Sequence, residues 1–223
     1  MSAILLGSTG LVGNQILAHL LESDHYKHVT TVSRREPSIN SDKIEAIVEK
    51  DSSKWGDIIE STEGDAYFSA FGTTRAAAGS AKKFVEIDQG INVECAKAAK
   101  KAGVKTFVLI SSMGANPDSF FLYFKTKGRI EKEVLDLKFP RTIILRPGLL
   151  LGQRETSKGL LVSLMVKFGE LTHGNMFAFP TYPIYGKELG KIAVDLASKA
   201  TSNSSPDVQI YEGKELTEMA KKL

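Results

Sequence analysis

Apolar residues run unbroken from Ala3 to Leu6, stop at Gly7, and resume at helical spacing with Leu11, Val12, Ile16, Leu17, Leu20 and Leu21. That pattern predicts a buried strand, a tight turn and a helix. β-Branched residues over 28–32 predict a second strand, closed by the polar turn Ser33 to Pro37, and residues 44–48 predict a third. A short helix is expected around Trp55 to Ile59, and a fourth strand over 65–71 that empties into Gly72-Thr73-Thr74-Arg75. One long helix is expected from about Lys83 to Ala102, with Phe84, Ile87, Ile91, Cys95 and Ala98 on one side and Gly103 as its C-cap. A fifth strand (106–110) ends in Ser111-Ser112, a helix-forming run covers 129–137, and a sixth strand (141–145) leads into Arg146-Pro147-Gly148. A helix over 187–198, a polar loop over 201–206, a last strand over 208–211 and a charged terminal helix complete the pattern. Strands and helices in alternation imply an α/β protein built on a doubly wound parallel sheet.

Composition narrows this picture only where it excludes something. With 223 residues, 42% of them hydrophobic, one large α/β domain spanning 1–223 is expected. Residues 152–186, rich in glycine and aromatics (Phe168, Phe177, Phe179, Tyr182, Tyr185), are expected to form a small C-terminal cap facing a substrate. Cations outnumber acids only 29 to 26 and are scattered, so nucleic acid is not indicated as a partner. The single cysteine, Cys95, excludes an intrachain disulfide and fits a reducing compartment. The four histidines lack ligand spacing, and no metal site is expected. The apolar start lacks the basic flank of a secretory signal, and no apolar stretch is long enough to span a bilayer. A soluble or peripheral protein, cytoplasmic in the simplest case, is expected.

Candidate chemistry begins at the first turn. Gly7, Ser8, Thr9, Gly10, Leu11, Val12 and Gly13 form a G-x-x-G-x-x-G junction between strand and helix. There the backbone N–H groups and positive helix end suit a pyrophosphate. Gly7 would allow the sharp exit, Gly10 would leave room for phosphate, and Gly13 would let the helix approach the sheet. At the tip of the second strand stand Ser33, Arg34 and Arg35. In a nucleotide-binding unit this tip faces the adenosine ribose, and guanidinium groups match a 2′-phosphate, which favours NADP over NAD. Phe71 and Gly72 end a strand on the same sheet edge and are candidate cofactor walls. Asp51 could contact an adenine amino group but reads rather as a helix cap, and Asn92 could reach a carbonyl on the cofactor side but reads rather as a solvated helix residue. Tyr123 and Lys127, four apart, fall on one helix face, where an ammonium beside a tyrosine favours its phenolate and gives a proton donor and acceptor. The Arg146-Pro147-Gly148 turn, running on to Leu150, can lie over a nicotinamide ring.

These motifs in this order resemble the atypical, extended-type short-chain dehydrogenase/reductases, which share a Rossmann-type fold. Within them they resemble the branch that includes a Tat-interacting oxidoreductase and fungal mitochondrial outer-membrane proteins. The resemblance covers nearly the whole chain. Its most specific stretches are Gly72 to Arg75 through Gly79, Ser111 to Ala115, Phe121 to Gly128, and Arg146 to Leu151. It implies NADPH/NADP as cofactor, held by Ser8 to Val12, Ser33, Arg34, Phe71, Gly72 and Leu150, with Pro147 nearby. It also implies Tyr123 as acid/base, Lys127 on the nicotinamide ribose, and Ser112 or, alternatively, Ser111 as the hydroxyl that polarises the substrate. Ser112 precedes Tyr123 by only 11 positions, fewer than in many extended members. The implied reaction is reduction of a small carbonyl or oxidation of an alcohol. A redox-sensing, NADPH-holding regulatory protein with little turnover is the alternative. The implied location is the mitochondrial outer membrane, by peripheral association.

Overall fold

Seven parallel strands form the central sheet, in the order β3-β2-β1-β4-β5-β6-β9. They are β1 (Ser2–Leu6), β2 (His28–Ser33), β3 (Ile44–Val48), β4 (Ala66–Ser69), β5 (Thr106–Ile110), β6 (Arg141–Arg146) and β9 (Asp207–Glu212). The computed structural model describes residues 1–152, 181–199 and 206–223. The strand order reverses between β1 and β4, so the crevice beyond their carboxyl ends is where an open parallel sheet binds ligands. β1 lies in the middle, paired to β2 through Leu6↔Val32 and to β4 through Leu6↔Ser69. Its residues Ile4, Leu5 and Leu6 are fully buried, as strands covered on both faces require.

Two apolar layers cover the sheet. On one face α1 (Leu11–Glu22) and α7 (Gly186–Ser198) pack against Leu5, Phe68, Val108, Ile143 and Leu145. On the other, α2 (Trp55–Glu60), α5 (Asn92–Lys101) and α6 (Leu122–Asp136) cover Ile4, Leu6, Tyr67, Phe107 and Ile144. A terminal helix, α8 (Gly213–Ala220), follows β9. A two-residue parallel ladder of β7 (Leu150–Leu151) and β8 (Ile184–Tyr185) lies beside the main sheet. The expected cap falls mostly outside the described residues, since Phe168, Phe177 and Phe179 lie in 153–180; most of the expected 201–206 loop lies outside them too.

The long helix expected over residues 83–102 is interrupted. After the short α3 (Arg75–Ala78), the chain forms α4 (Ala81–Val85), one π-helical segment over Glu86–Ile91, and then α5. The wider π turn keeps Phe84, Asp88 and Asn92, each four residues apart, directed inward, where a continuous α-helix would drift off that face. Asn92 is accordingly not a solvated residue: it is 2% exposed, accepts from Ser69 Oγ, and donates to the carbonyls of Asp88 (2.6 Å) and Phe71 (3.3 Å). The fourth strand is shorter than expected, ending at Ser69, which leaves Phe71 and Gly72 in the loop beyond it. Asp51 caps the 3-10 turn over Ser52–Lys54 by accepting from Ser53 N–H at 3.0 Å.

Candidate active site at the carboxyl ends of the strands

Gly7 and Gly13 shape the first turn for reasons internal to the protein. Gly7 has φ +90°, and a Cβ there would stand 2.8 Å from the Ala70 carbonyl and Phe71 N. A Cβ on Gly13 would stand 2.0 Å from the Gly7 oxygen. Gly10, the exposed N-cap of α1, differs: its φ is −85° and the nearest atom to an added Cβ is the Gly7 oxygen at 3.3 Å. The fold itself asks little of a glycine at position 10, so the space it leaves suits something outside the chain. Beside it Ser8 is fully buried, and its Oγ has no hydrogen-bond partner among the described residues. A buried hydroxyl without a partner costs stability unless a ligand satisfies it. With the unpaired N–H groups of α1, these residues fit the phosphates of a dinucleotide.

At the tip of β2, Ser33 is buried and its hydroxyl donates to the Arg35 carbonyl at 2.6 Å, which folds the tip back on itself. Arg34 is exposed and has no ion pair among the described residues. On the other side of β1, Phe71 is held edge-on by Trp55, with centroids 5.4 Å apart. Gly72 follows it, where a Cβ would lie 3.1 Å from Asp88 Oδ1 and 3.4 Å from Lys127 Nζ. That crowding joins two of the expected site residues, Gly72 and Lys127, and adds Asp88, whose part the sequence did not signal.

Lys127 is 7% exposed and its Nζ lies 2.8 Å from Asp88 Oδ2, in ion-pair contact although not aligned as a hydrogen bond. Asp88 is fully buried, and its other oxygen accepts from Thr73 N–H at 2.7 Å. The π segment thus supplies a carboxylate under the loop that follows β4. Tyr123, one helical turn before Lys127, is 41% exposed; its ring stacks on Phe84 at 6.2 Å, and the Lys127 ammonium lies 6.0 Å from its centroid. Gly128 fixes how closely the preceding loop meets this helix. A Cβ there would fall 2.2 Å from Pro117 N, and Asn116 N–H donates to the Phe124 carbonyl at 3.0 Å. The loop carrying Ser112 is therefore clamped onto the helix carrying Tyr123.

The two serines at the end of β5 differ in their surroundings. Ser111 is 6% exposed, and its Oγ donates to Glu131 Oε1 at 2.5 Å. Glu131, one turn beyond Lys127, accepts a forked pair of bonds from Arg146 (Nε 3.0 Å, Nη2 2.6 Å), and Arg146 reaches Glu212 at 2.6 Å. Those carboxylates, Glu131 foremost, hold the guanidinium above its ordinary pKa. Ser112 is half-buried, with only a 3.3 Å bond to the Met113 carbonyl. Pro147 is buried and its carbonyl accepts from Met113 N–H at 2.9 Å. Leu150 opens the small ladder, which rests on the start of α1: added Cβ atoms at Gly152 and Gly186 would both meet Leu11.

Glu131, like Asp88, escaped the sequence reading, whereas Asn92 was singled out there but read as solvated. A recurrence did mark Glu131, since Tyr123, Lys127 and Glu131 repeat every four residues on α6. Among the described residues no cluster of metal-ligating side chains occurs, and no helix is long and apolar enough to cross a membrane.

Residues 7–172 match a family described as NAD(P)H-binding. Over its full length the chain is 57% identical to "Protein FMP52-1, mitochondrial" of Scheffersomyces stipitis, all of which is covered. It is 41% identical to "Protein FMP52, mitochondrial" of Saccharomyces cerevisiae, covering 100% of this chain and 98% of that one. Among solved structures, the Bordetella bronchiseptica enzyme WbmG in complex with NAD aligns with a TM-score of 0.68 at 16% identity, over 100% of this chain and 77% of that one. A short-chain dehydrogenase family protein from Francisella tularensis aligns with a TM-score of 0.65 at 18% identity, over 96% and 98%. These structural likenesses concern the fold. By sequence, the chain belongs to the NAD(P)H-binding family and, within it, to the FMP52 proteins.

Proposed function

We propose that this protein is an NADPH-dependent oxidoreductase that reduces a small carbonyl or oxidises the corresponding alcohol. The observation that carries the reading is the clamping of the Ser112 loop onto the helix bearing Tyr123 and Lys127, across the sheet edge from the glycine turn. A nicotinamide bound along that edge supplies hydride chemistry. Ser8, Gly10 and the start of α1 would hold its phosphates, Arg34 with Arg35 a 2′-phosphate, and Phe71, Gly72, Pro147 and Leu150 its flanks. Lys127 would orient the nicotinamide ribose. Tyr123, open to the crevice, would pass a proton to or from the substrate oxygen while Ser112 donates a hydrogen bond to it. Ser112 suits that task better than Ser111, whose hydroxyl is committed to Glu131. Reduced-cofactor absorbance, followed over a panel of carbonyl compounds with NADPH and NADH in parallel, tests the reading. NADPH should bind at least tenfold more tightly, and Tyr123→Phe should abolish turnover while leaving NADPH affinity within about twofold. Undiminished turnover in Tyr123→Phe sinks the mechanism.

One observation favours a second reading, an NADPH-holding regulatory protein with little turnover. Asp88 already neutralises Lys127, which lessens the help its ammonium gives a tyrosine phenolate. Tight NADPH binding with no oxidation across the panel would select this reading. The likeness to the Tat-interacting branch fits either one. The relatives' names place them in mitochondria. We take this chain to reside there as well, held peripherally at the outer membrane surface.

A further inference from the structure

The start of α6 carries the most exposed apolar side chains of the described residues. Phe120 is fully exposed and Phe121 is 72% exposed, adjacent on the loop tip that enters the helix. Phe121 already sits in helical register, because its carbonyl accepts from Lys125 N–H at 3.0 Å. From it, steps of four, four and three residues lead along one helix face to Lys125, Arg129 and Lys132. Arg129 and Lys132 are exposed and Lys125 is half-exposed; none of the three has an ion pair among the described residues. Asp136 lies at the far end of that face, Glu133 borders it and accepts from Gln89 Nε2 at 2.6 Å, and Asp118 is exposed two residues before Phe120, so the basic stretch is confined to Lys125, Arg129 and Lys132. Tyr123, Lys127 and Glu131 occupy the other side of the helix and face the site.

We propose that this face of α6 docks on an anionic phospholipid bilayer, with Phe120 and Phe121 inserted at the boundary between headgroups and acyl chains and Lys125, Arg129 and Lys132 lying over the headgroups. The inference rests on the peripheral location and not on the redox chemistry. Two adjacent phenylalanines left in water are an unsatisfied apolar surface, and a bilayer interface takes aromatic rings at this depth. The cations then select the lipid, since each basic side chain near a negatively charged surface adds attraction that fades within a Debye length. A second copy of the chain fits less well. Two such faces packed on a two-fold axis would bring Lys125, Arg129 and Lys132 against the same residues of the other copy. Because the docking face is the reverse of the site face, an attached molecule keeps its crevice open along the membrane surface.

Co-sedimentation of the full chain with phosphatidylcholine vesicles, with and without phosphatidylserine, tests this. The wild type should pellet with the anionic vesicles, and release should follow added salt. Replacing both phenylalanines (Phe120→Ser with Phe121→Ser) should reduce binding at least tenfold at any salt. Replacing the three cations by glutamine (Lys125→Gln, Arg129→Gln, Lys132→Gln) should weaken binding on the order of a hundredfold at low salt and remove the preference for phosphatidylserine. Both variants should keep wild-type melting temperature and NADPH affinity, which shows that they fold. Wild type left in the supernatant with anionic vesicles, or vesicle binding unchanged in both variants, overturns the proposal. So does a wild-type dimer in light scattering that the phenylalanine variant converts to monomer. Retention on isolated mitochondria without vesicle binding would reject the lipid surface and leave the peripheral location standing.

Discussion

Asp88 and Lys127 show what a single contact adds to a site read from motifs. A buried carboxylate against a buried ammonium is expensive to break from one side, because the remaining charge stays in a poorly solvated place. Asp88→Asn should therefore destabilise the fold by about 3 kcal/mol in urea unfolding. Loss of less than about 0.5 kcal/mol would show that the pair is solvated and matters little. Tyr123 and Lys127 were legible because their spacing is local, one turn of one helix. Asp88 was not, since it meets Lys127 only when two helices pack side by side, and no periodicity along the chain records that meeting. Glu131 escaped for the same reason: its partners Ser111 and Arg146 lie on β5 and β6.

At the scale of elements, the glycine turn separates glycines that the fold needs from one that it does not. Gly13→Ala would drive a Cβ to 2.0 Å from the Gly7 oxygen and should cost more than about 3 kcal/mol, with loss of NADPH binding. Gly10→Ala should leave the melting temperature within a few degrees yet weaken NADPH at least tenfold, measured by fluorescence titration. Equal effects from both substitutions would remove the phosphate from this turn. The spacing of these glycines was plain in the sequence, and so were the strands on either side. The π segment was not legible, because a recurrence every four residues at 84, 88 and 92 reads along the chain as one amphipathic helix, and only the burial of Asp88 and Asn92 in the fold marks the wider turn. Gly128 was visible as part of a motif, but its need to admit Pro117 is a property of the folded loop.

For the whole molecule, the alternation of apolar strands and amphipathic helices was sufficient to read the doubly wound sheet, because the central strands β1, β4 and β5, buried on both faces, are largely apolar runs. The same burial sets a limit on the alkaline side. Burial pushes the Cys95 thiol from 9.0 up to about 12 and the Tyr26 hydroxyl from 10.0 up to about 12, and raises Tyr67 well above its ordinary value. Each group stays protonated in the native state at pH values where the unfolded chain has already lost the proton. The stability these groups contribute is then fully present below about pH 9 and is lost as pH rises from there towards 12. Urea midpoints measured across that range should decline; a flat profile would mean that these groups reach water. In the same native protein, Cys95 should resist thiol reagents near pH 8 until denaturant is added.

Ser111, Glu131, Arg146 and Glu212 tie β5, α6 and β6 to β9, and this links the candidate site to one edge of the sheet. The glycine turn, the arginine tip and β4 lie within residues 7–69 and take no side chain from that network. Glu131 and Arg146 balance each other's charge, and Glu212 on β9 adds a second carboxylate to the same guanidinium. The half of the site proposed to be reactive is thus braced from the β9 edge of the sheet.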